Sequence, residues 1–420
     1  MTLLELSLAY LRERPLITAL NALLLALGVG MIILLLLVSE RLEQRLTRDA
    51  TGIDLVIGAK GSPLQLILSS LYHVDIPTGN IPFEQIEHWR GHELVDAVIP
   101  LALGDSVAGF RIVGSETIYP EHYQASLEDG RYWQAPFEAT LGADVAKKTG
   151  LTIGDRFTGN HGLAPGGPTH GNHPYTVVGI LAPTGSIIDR LVLTSIDSIW
   201  RSHGLSDNFD GTSIEQAHPF DEADHQEART VEGQTGNSSL AVTSLLVRYK
   251  TPFAAIQLPL AVNQTRGLQA AAPAWEMARL LSLIGIGTDT LRGFGLVLMA
   301  TAALSLFVAL TTALQARQHD LAVMRTLGAS RGTLCRQLLC EGLLLATLGA
   351  LLGLALGHGA ASLLAAASSE AEALGLTGLH GRIEELYVLA LALLIGLAAA
   401  LIPAVQAYRS DIAQLLASGR

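Results

Sequence analysis

Four long apolar segments dominate the pattern of hydrophobic and polar residues along the chain. They lie at residues 16–38, 293–316, 338–365 and 386–407, and the chain is 49% hydrophobic with only 15% charged residues. Each segment is long enough to cross about 30 Å of hydrocarbon as a helix that rises about 1.5 Å per residue. One such segment could be a buried core helix, but four of them predict membrane spans.

The first apolar segment starts close to the N-terminus, where a cleaved signal peptide is the alternative interpretation. Its apolar run is longer than the usual core of a signal peptide, and no small-residue cleavage site follows it. The chain continues instead into Ser39, Glu40 and Arg41, as one long helix would. We therefore predict an uncleaved anchor.

Basic residues in the short polar segments indicate the orientation. Residues 317–337 carry four arginines against one aspartate, whereas residues 366–385 carry one arginine against four glutamates. Lys and Arg concentrate in short cytoplasmic loops. We therefore expect both termini and residues 317–337 in the cytoplasm, and residues 40–290 and 366–385 outside it.

The pattern predicts a membrane protein with four transmembrane α-helices and a large α+β domain inserted between helices 1 and 2. In chain order, the predicted segments are an amphipathic cytoplasmic helix (1–14), the first transmembrane helix (15–39), the α+β domain with stalk extensions at both ends (40–290), the second transmembrane helix (291–316), a short cytoplasmic helix and turn (317–337), the third transmembrane helix (338–365), an outer loop (366–385), the fourth transmembrane helix (386–408) and a cytoplasmic tail (409–420).

The inserted domain mixes strand-like and helical patterns. Strands are expected at 53–57, 97–103, 175–181, 191–194 and 240–249, and helices at 83–89, 142–148 and 253–262. The domain has 29 acidic and 17 basic residues, a net charge of −12, which argues against nucleic acid or an anionic membrane surface as its partner. It contains no cysteine, so its core rather than disulfides must stabilise it.

Two polar inserts interrupt this domain. Residues 204–240 are acidic and too polar to bury much apolar surface. Residues 158–173 are rich in Gly, Pro and His. His161, His170 and His173 cluster there, and His170-x-x-His173 has a spacing that suits a zinc site. The alternative is that these histidines are ordinary residues of a polar loop, since no cysteine joins the set.

The segment after the second span has the features of a docking element. Leu321 and Met324 would share the apolar face of a short helix, Gly328 is placed to end it, and Ser330 is placed to cap the next helix. A short apolar-faced helix with basic flanks suits a cytoplasmic partner. The alternative is a plain hairpin loop that carries the usual cytoplasmic positive charge.

Residues 316–330 resemble the R-x-x-[DE]-[LI]-A-[LVI]-[LM]-R-x-[LI]-G-[AM]-[ST] signature of the MacB/LolC/FtsX-like ABC transporter permeases. Residues 142–146, 154–155 and 175–181, with Pro183-Thr184-Gly185-Ser186 and Asp189, resemble the periplasmic domain of that family. Residues 402–416 resemble the exit of its fourth span. The resemblance covers the whole chain apart from the two inserts.

The resemblance implies a permease subunit of a bacterial inner (cytoplasmic) membrane with a periplasmic α+β domain. Its implied partners are a cytoplasmic ABC ATPase, a second permease copy or homologous permease, and a periplasmic or membrane-fusion protein. The residues assigned to ATPase coupling are Arg317, His319, Asp320, Leu321, Met324, Arg325, Leu327, Gly328, Ala329 and Ser330. The sequence contains no G-x-x-x-x-G-K-[ST] motif, so we expect ATP and Mg to bind to a separate chain and this chain to bind no nucleotide cofactor.

The spans themselves suit a mechanical role. The apolar segments 16–38, 293–316 and 386–407 carry no charged residue, whereas a path for a polar solute would be expected to show intramembrane charges. Glu341 in the third span is assigned to helix packing or coupling. Gly349, Gly353 and Gly357 form a ridge of small residues that would let a neighbouring helix approach closely.

The sequence therefore predicts a non-enzymatic permease subunit, because no nucleophile–base set stands out. It would couple ATP hydrolysis to conformational change of the periplasmic domain, for export or extraction of an amphiphilic, lipid-linked or peptide substrate. Two alternatives stay open: an FtsX-like regulator of periplasmic partners without transport, and a component of a zinc-handling ABC system.

Overall fold

The computed structural model describes residues 3–160, 173–203, 240–317, 323–326, 328–367 and 381–409. The chain divides into two compact units. The membrane unit comprises Met1–Arg45 and Leu281–Arg420, and the globular unit comprises Leu46–Leu280. Residues 161–172 and 204–239, which make up most of the two polar inserts, lie outside the described residues.

Eleven named helices lie in the described ranges. They are α1 (Leu3–Glu13), α2 (Pro15–Ala50), α3 (Pro63–Ser70), α4 (Glu84–Arg90), α5 (Ile118–His122), α6 (Ala143–Thr149), α7 (Ile196–Ser202), α8 (Ala254–Gln264), α9 (Pro273–Ala316), α10 (Arg331–Ala367) and α11 (Ile383–Arg409). A 3-10 helix covers Ile187–Arg190.

Four of these helices, α2, α9, α10 and α11, are long and apolar enough to cross a membrane. Both α2 and α9 are longer than the predicted spans, because α2 continues to Ala50 and α9 begins at Pro273. The last residues of α2 (46–50) and the first of α9 (273–280) belong to the globular unit, in which Met277 is buried in an apolar cluster. The positions at which the membrane surfaces cross these helices stay a prediction.

The globular unit is built on a mixed sheet. Its strands are β1 (Leu55–Ala59), β2 (Ile81–Pro82), β3 (Val95–Val107), β4 (Phe110–Ser115), β5 (Leu127–Gly130), β6 (Glu138–Leu141), β7 (Arg156–Phe157), β8 (Tyr175–Leu181), β9 (Leu191–Thr194), β10 (Ala241–Val242), β11 (Ser244–Tyr249) and β12 (Leu268–Ala271).

Ten of these strands form one sheet in the order β12-β1-β11-β3-β4-β9-β6-β8-β5, with β7 paired to β8, and β10 pairs separately with β2. The β4–β9 and β6–β8 pairs are parallel and the other pairs of this sheet are antiparallel. Helices and strands share apolar clusters on this sheet, one around Tyr119 and Leu193, another around Trp89 and Leu258. This architecture confirms the predicted α+β domain between the first and second spans.

Two strand predictions match the structure at both ends, the one for β9 (Leu191–Thr194), in which every residue is buried, and the one for β8. β8 alternates strictly between buried and half-buried residues, and its bounds equal the predicted 175–181. The predicted strand 240–249 is instead divided at Thr243 into β10 and β11. At this position the Thr243 N–H donates to the Leu101 carbonyl of β3 at 2.8 Å, and the Thr243 Oγ1 accepts a hydrogen bond from the Leu103 N–H at 2.9 Å.

Candidate coupling site

The segment that follows α9 ends in the way that its glycine predicts. Residues 323–326 are helical, and Gly328 has a φ of +99°. The Gly328 N–H donates to the Arg325 carbonyl at 3.1 Å, and the Ala329 N–H donates to the Met324 carbonyl at 3.0 Å. Together they form a Schellman ending, in which glycine adopts a left-handed conformation that a Cβ would disfavour.

Ser330 forms the cap of α10. Its Oγ accepts a hydrogen bond from the Thr333 N–H at 3.2 Å, one turn into the helix. This bond satisfies a backbone donor that has no partner within the helix. The turn between the short helix and α10 is therefore defined by Gly328 and Ser330, as the sequence indicated.

The apolar side chains of this segment divide between two environments. Met324 is half-buried and packs against a cluster that includes Leu334, so it anchors the segment to the membrane unit. Val323, among the described residues of this segment, has an exposed apolar side chain (41%). His319, Asp320, Leu321 and Leu327 lie outside the described residues, so the predicted docking face stays a prediction.

Arg317 joins three helices of the membrane unit. Its guanidinium carbon lies 3.6 Å from the centroid of the Tyr10 ring in α1, and its Nη2 donates to the Tyr10 carbonyl at 3.3 Å. Its Nη1 donates to Glu341 Oε1 in α10 at 3.4 Å, and Glu13 Oε2 lies 3.8 Å from Nη2. Because a guanidinium is planar and carries several donors, it can stack on an aromatic ring and bind carboxylates at the same time.

The Arg317–Glu341 pair is enclosed. The side chains are 11% and 3% exposed, and the cavity that they line with Gln337 and Leu334 has a volume of about 10 Å³. Such a space holds about one water molecule. Removing one partner of a buried ion pair leaves an uncompensated charge, so the pair should be sensitive to substitution.

The predicted glycine ridge of the third span faces α2 of the same chain. A Cβ at Gly353 would lie 2.6 Å from Val29 Cβ, and a Cβ at Gly357 would lie 2.8 Å from Ile33 Cγ2. At Gly349 the nearest atoms would be 2.9 Å away. All three distances are shorter than those between real Cβ atoms and their neighbours. The three glycines therefore allow α2 and α10 to approach closely because they carry no side chain.

Sequence reasoning missed two polar contacts at the opposite end of the membrane unit. His358 Nε2 of α10 lies 3.1 Å from Glu385 Oε2 of α11. Arg382, which precedes α11, forms an ion pair with Glu40 of α2. Glu385 and Arg382 had been counted only as loop charges, because nothing local in the sequence links them to His358 or Glu40.

A second cluster lies where α2 ends in the globular unit. Asp49 is 1% exposed, and its Oδ1 accepts a hydrogen bond from the Ile187 N–H at 2.9 Å. Tyr123 Oη donates to the Asp49 carbonyl at 2.9 Å, and Arg48 Nη1 donates to the Gly185 carbonyl at 3.2 Å. The last turn of α2 is thus fixed to the loop between β8 and β9, a contact that the sequence analysis did not predict.

Buried aromatic and imidazole groups complete this cluster. Tyr72 Oη donates to the Leu46 carbonyl at 2.8 Å, and burial together with the Asp49 charge raises the pKa of Tyr72. His73 Nε2 lies 2.9 Å from Tyr119 Oη. Burial, followed by the charge of Arg111, lowers the pKa of His73 to about 3, so this histidine is neutral at physiological pH.

The loop that receives α2 is organised around Asp189. Its carboxylate accepts hydrogen bonds from the Thr184 N–H at 3.0 Å and from the Gly185 N–H at 2.7 Å. Thr184 Oγ1 donates to the same carboxylate at 2.8 Å. The residues 183–186 and 189 that carry part of the family resemblance therefore form one structural unit.

The histidine prediction is largely outside the described residues. His161 and His170 are not described, and His173 stacks on Phe137 with 5.1 Å between ring centroids. Within the described ranges, no group of three or more His, Cys, Asp or Glu residues could hold a metal ion. The zinc site stays a prediction.

Comparisons with known proteins agree with this architecture. The family model for the MacB-like periplasmic core domain matches residues 18–235, just over half of the chain, and the model for the FtsX-like permease C-terminal region matches residues 292–412. No curated protein matches the sequence.

Two solved structures are similar to part of the chain. The extracellular domain of the noncanonic ABC-type transporter YknZ from Gram-positive bacteria is 13% identical with a TM-score of 0.30, over 52% of this chain and 98% of that one. The periplasmic region of MacB from Actinobacillus actinomycetemcomitans is 11% identical with a TM-score of 0.33, over 56% of this chain and 98% of that one. On the two family matches, the chain belongs to the MacB/FtsX-like family of ABC transporter permeases.

Proposed function

We propose that this permease receives motion from a separate cytoplasmic ABC ATPase at residues 317–330 and passes it to the globular unit. ATP and Mg would bind to that ATPase. The globular unit would lie in the periplasm of a bacterium, with both termini in the cytoplasm, and the substrate class would be an amphiphilic, lipid-linked or peptide molecule.

The Arg317 junction is the observation that carries this proposal. One side chain at the start of the 317–330 segment contacts Tyr10 in α1 and Glu341 in α10, while its backbone continues α9. Movement of this segment would therefore displace α1, α9 and α10 together. Met324 adds an apolar anchor to the same cluster.

The continuity of α2 and α9 supports a mechanical path. Each helix runs without interruption from residues of the membrane unit into residues of the globular unit. At the globular end, Asp49 and Arg48 bind the loop between β8 and β9, and Met277 is buried in the domain core. Movement of either helix would thus be transmitted to the sheet.

The small volume of two cavities in the described part of the membrane unit supports motion over a solute path. The cavity beside Asn21, Leu25 and Leu345 has a volume of about 10 Å³, as does the one beside Arg317. Neither is large enough for more than about one water molecule. The same observation favours a second candidate function, an FtsX-like regulator that moves a periplasmic partner without transporting a substrate.

A charge-conserving substitution tests the Arg317 junction. Arg317→Lys keeps the positive charge but loses the planar group that stacks on Tyr10 and binds Glu341. We expect the permease to insert normally but to lose most of its stimulation of the ATPase that purifies with it. Arg331→Lys is the matched control, because Arg331 is exposed and starts α10. Equal ATPase stimulation in both variants would contradict the proposal.

A further inference from the structure

A cavity of about 200 Å³ opens on the globular unit between α5 and the sheet. Ile99 of β3 and Leu246 of β11 line it from the sheet, and Ile53 and Ile118 line it from the other side. Ile53, Ile99 and Leu246 are at most 5% exposed, so they are fixed in the core cluster that also contains Tyr119. The volume is that of about seven liquid water molecules and is smaller than the roughly 300–1,000 Å³ of pockets for drug-sized ligands. The cavity therefore suits a small molecule with an apolar part.

Three polar side chains also line this cavity. They are Glu121 and His122 at the end of α5, and Arg248 of β11. Arg248 Nε donates to Asp96 Oδ2 at 2.6 Å, and its other N–H groups have no acceptor in the described part of the chain. Glu121 is exposed, and its carboxylate accepts no hydrogen bond from a described residue. One positive and one negative group at the cavity are therefore available to a ligand.

His122 is held in a fixed orientation at the cavity. Its Nε2 donates to the Thr51 carbonyl at 3.1 Å, because a carbonyl oxygen can only accept. The ring lies perpendicular to the Tyr123 ring, and a Cβ at Gly52 would lie only 2.9 Å from its Cε1. Burial lowers the pKa of His122, the bond to Thr51 raises it, and the charge of Arg248 lowers it further. The ring is thus neutral at physiological pH, and its Nδ1 is a hydrogen-bond acceptor.

The signs of these groups define the ligand. A simple anion would bind Arg248 but would also face the Glu121 carboxylate, and a simple cation would face the Arg248 guanidinium. A zwitterion satisfies both groups, because its carboxylate can bind Arg248 while its ammonium donates to Glu121 and to His122 Nδ1. An apolar side chain on the same molecule would contact Ile99 and Leu246. An α-amino acid with an apolar side chain has all three parts.

We propose that this cavity is a binding site for a free α-amino acid with an apolar side chain. A free amino acid fits better than the last residue of a peptide, because Glu121 and His122 require an ammonium group beside the carboxylate. The half-exposed Asp96 is a weak competitor for Arg248, since exposed ion pairs contribute little free energy. The site lies wholly within the globular unit, so it adds a ligand to the proposed function without depending on the ATPase.

Calorimetric titration of the purified full-length chain tests the class of ligand. The titrants are L-leucine, L-valine and L-phenylalanine, each beside its amide, which lacks the carboxylate, and its N-acetyl derivative, which lacks the ammonium. We expect saturable binding of at least one of the amino acids, with a dissociation constant at least tenfold lower than those of its two derivatives. No saturable binding of any amino acid would overturn the proposal. So would an N-acetyl derivative that binds as tightly as its parent.

Two variants test whether binding occurs in this cavity. Arg248→Gln removes the group that would bind the carboxylate, and Ala97→Leu adds volume to the cavity lining without changing a charge. Each should raise the dissociation constant at least tenfold, whereas the control Arg201→Gln should not, because Arg201 pairs with the half-exposed Asp197 and does not line the cavity.

The tryptophan-monitored Tm of each variant shows whether its globular unit is folded. Arg248 is about half exposed, so Arg248→Gln should fold even if Ala97→Leu does not. Binding by folded Arg248→Gln that is as tight as in the wild type would overturn the proposal. That result would leave ATPase stimulation unchanged, so it is distinct from failure of the proposed function.

Discussion

Gly353 offers a quantitative test of how the membrane unit is packed. A Cβ at this position would lie 2.6 Å from Val29 Cβ and 2.9 Å from the Ala26 carbonyl oxygen. Non-bonded carbon atoms prefer about 3.5–4.0 Å, so Gly353→Ala must separate α10 from α2 by roughly 1 Å. Overpacking of this kind costs about 1–3 kcal/mol. Alanine returns about 0.5–1 kcal/mol through its better helix propensity, which leaves a net loss of about 0–2.5 kcal/mol.

Gly359→Ala is the matched control in the same helix. A Cβ at Gly359 would meet no atom within 4 Å, so this substitution should leave stability unchanged or raise it by about 0.5–1 kcal/mol. Gly353→Leu should destabilise the unit further than Gly353→Ala, because a branched side chain cannot fit between the two backbones.

The chain contains its own reporters for this measurement. Cys335 and Cys340 are half-buried in α10, so a thiol-reactive fluorophore reports unfolding of the membrane unit. All four tryptophans, Trp89, Trp133, Trp200 and Trp275, lie in the globular unit and report its unfolding separately. At about 2–4 °C per kcal/mol for a unit of this size, Gly353→Ala should lower the Tm of the thiol transition by up to about 10 °C. If Gly353→Ala were as stable as Gly359→Ala, the close packing of α10 on α2 would be refuted.

Three further predictions concern the globular unit and the orientation of the chain. Because the pKa of His73 is about 3 in the folded state, its contribution to the free energy of unfolding should be fully present above about pH 6.5 and should fall as the pH drops toward 3, by about 2 kcal/mol at pH 5. Tryptophan-monitored urea unfolding should show this pH dependence in the wild type and in the exposed control His88→Gln, but not in His73→Gln. Asp49→Ala should cost about 1–3 kcal/mol in the same assay by leaving a buried N–H without an acceptor, whereas Asp49→Asn, which keeps an acceptor oxygen, should cost less. In a variant without Cys335 and Cys340, a cysteine at Gln134 should react with an impermeant thiol reagent in intact spheroplasts and one at Val323 should not; the opposite labelling would reverse the orientation inferred from the arginines.

Local patterns in the sequence predicted much of this fold, because the forces that produce them are local. The four spans follow from uninterrupted apolar runs, and β8 follows from alternation of buried residues. Gly328 and Ser330 predicted a helix end and a helix cap, since both are set by the chemistry of one or two residues.

Contacts between residues far apart in the sequence could not be predicted from local patterns. The bond between Asp49 and Ile187 joins residues 138 positions apart, and Arg317 reaches a carbonyl 307 positions away. Neither contact leaves a periodic pattern, and a buried aspartate in the last turn of a helix resembles a solvated one in sequence. Met324 shows the same limit, because an apolar residue on a short helix can anchor to its own chain or contact a partner.

Photocrosslinking from Val323 tests the central claim, that the 317–330 segment receives an ABC ATPase. Val323 is exposed, next to the anchored Met324, so a photoreactive residue there should contact a bound partner without disturbing the fold. In native membranes, we predict a crosslinked product whose second polypeptide, identified by mass spectrometry, carries the G-x-x-x-x-G-K-[ST] motif of an ABC ATPase. The same residue placed at Gln134 should give no such product. Crosslinks from Val323 only to proteins without a nucleotide-binding motif would contradict the account.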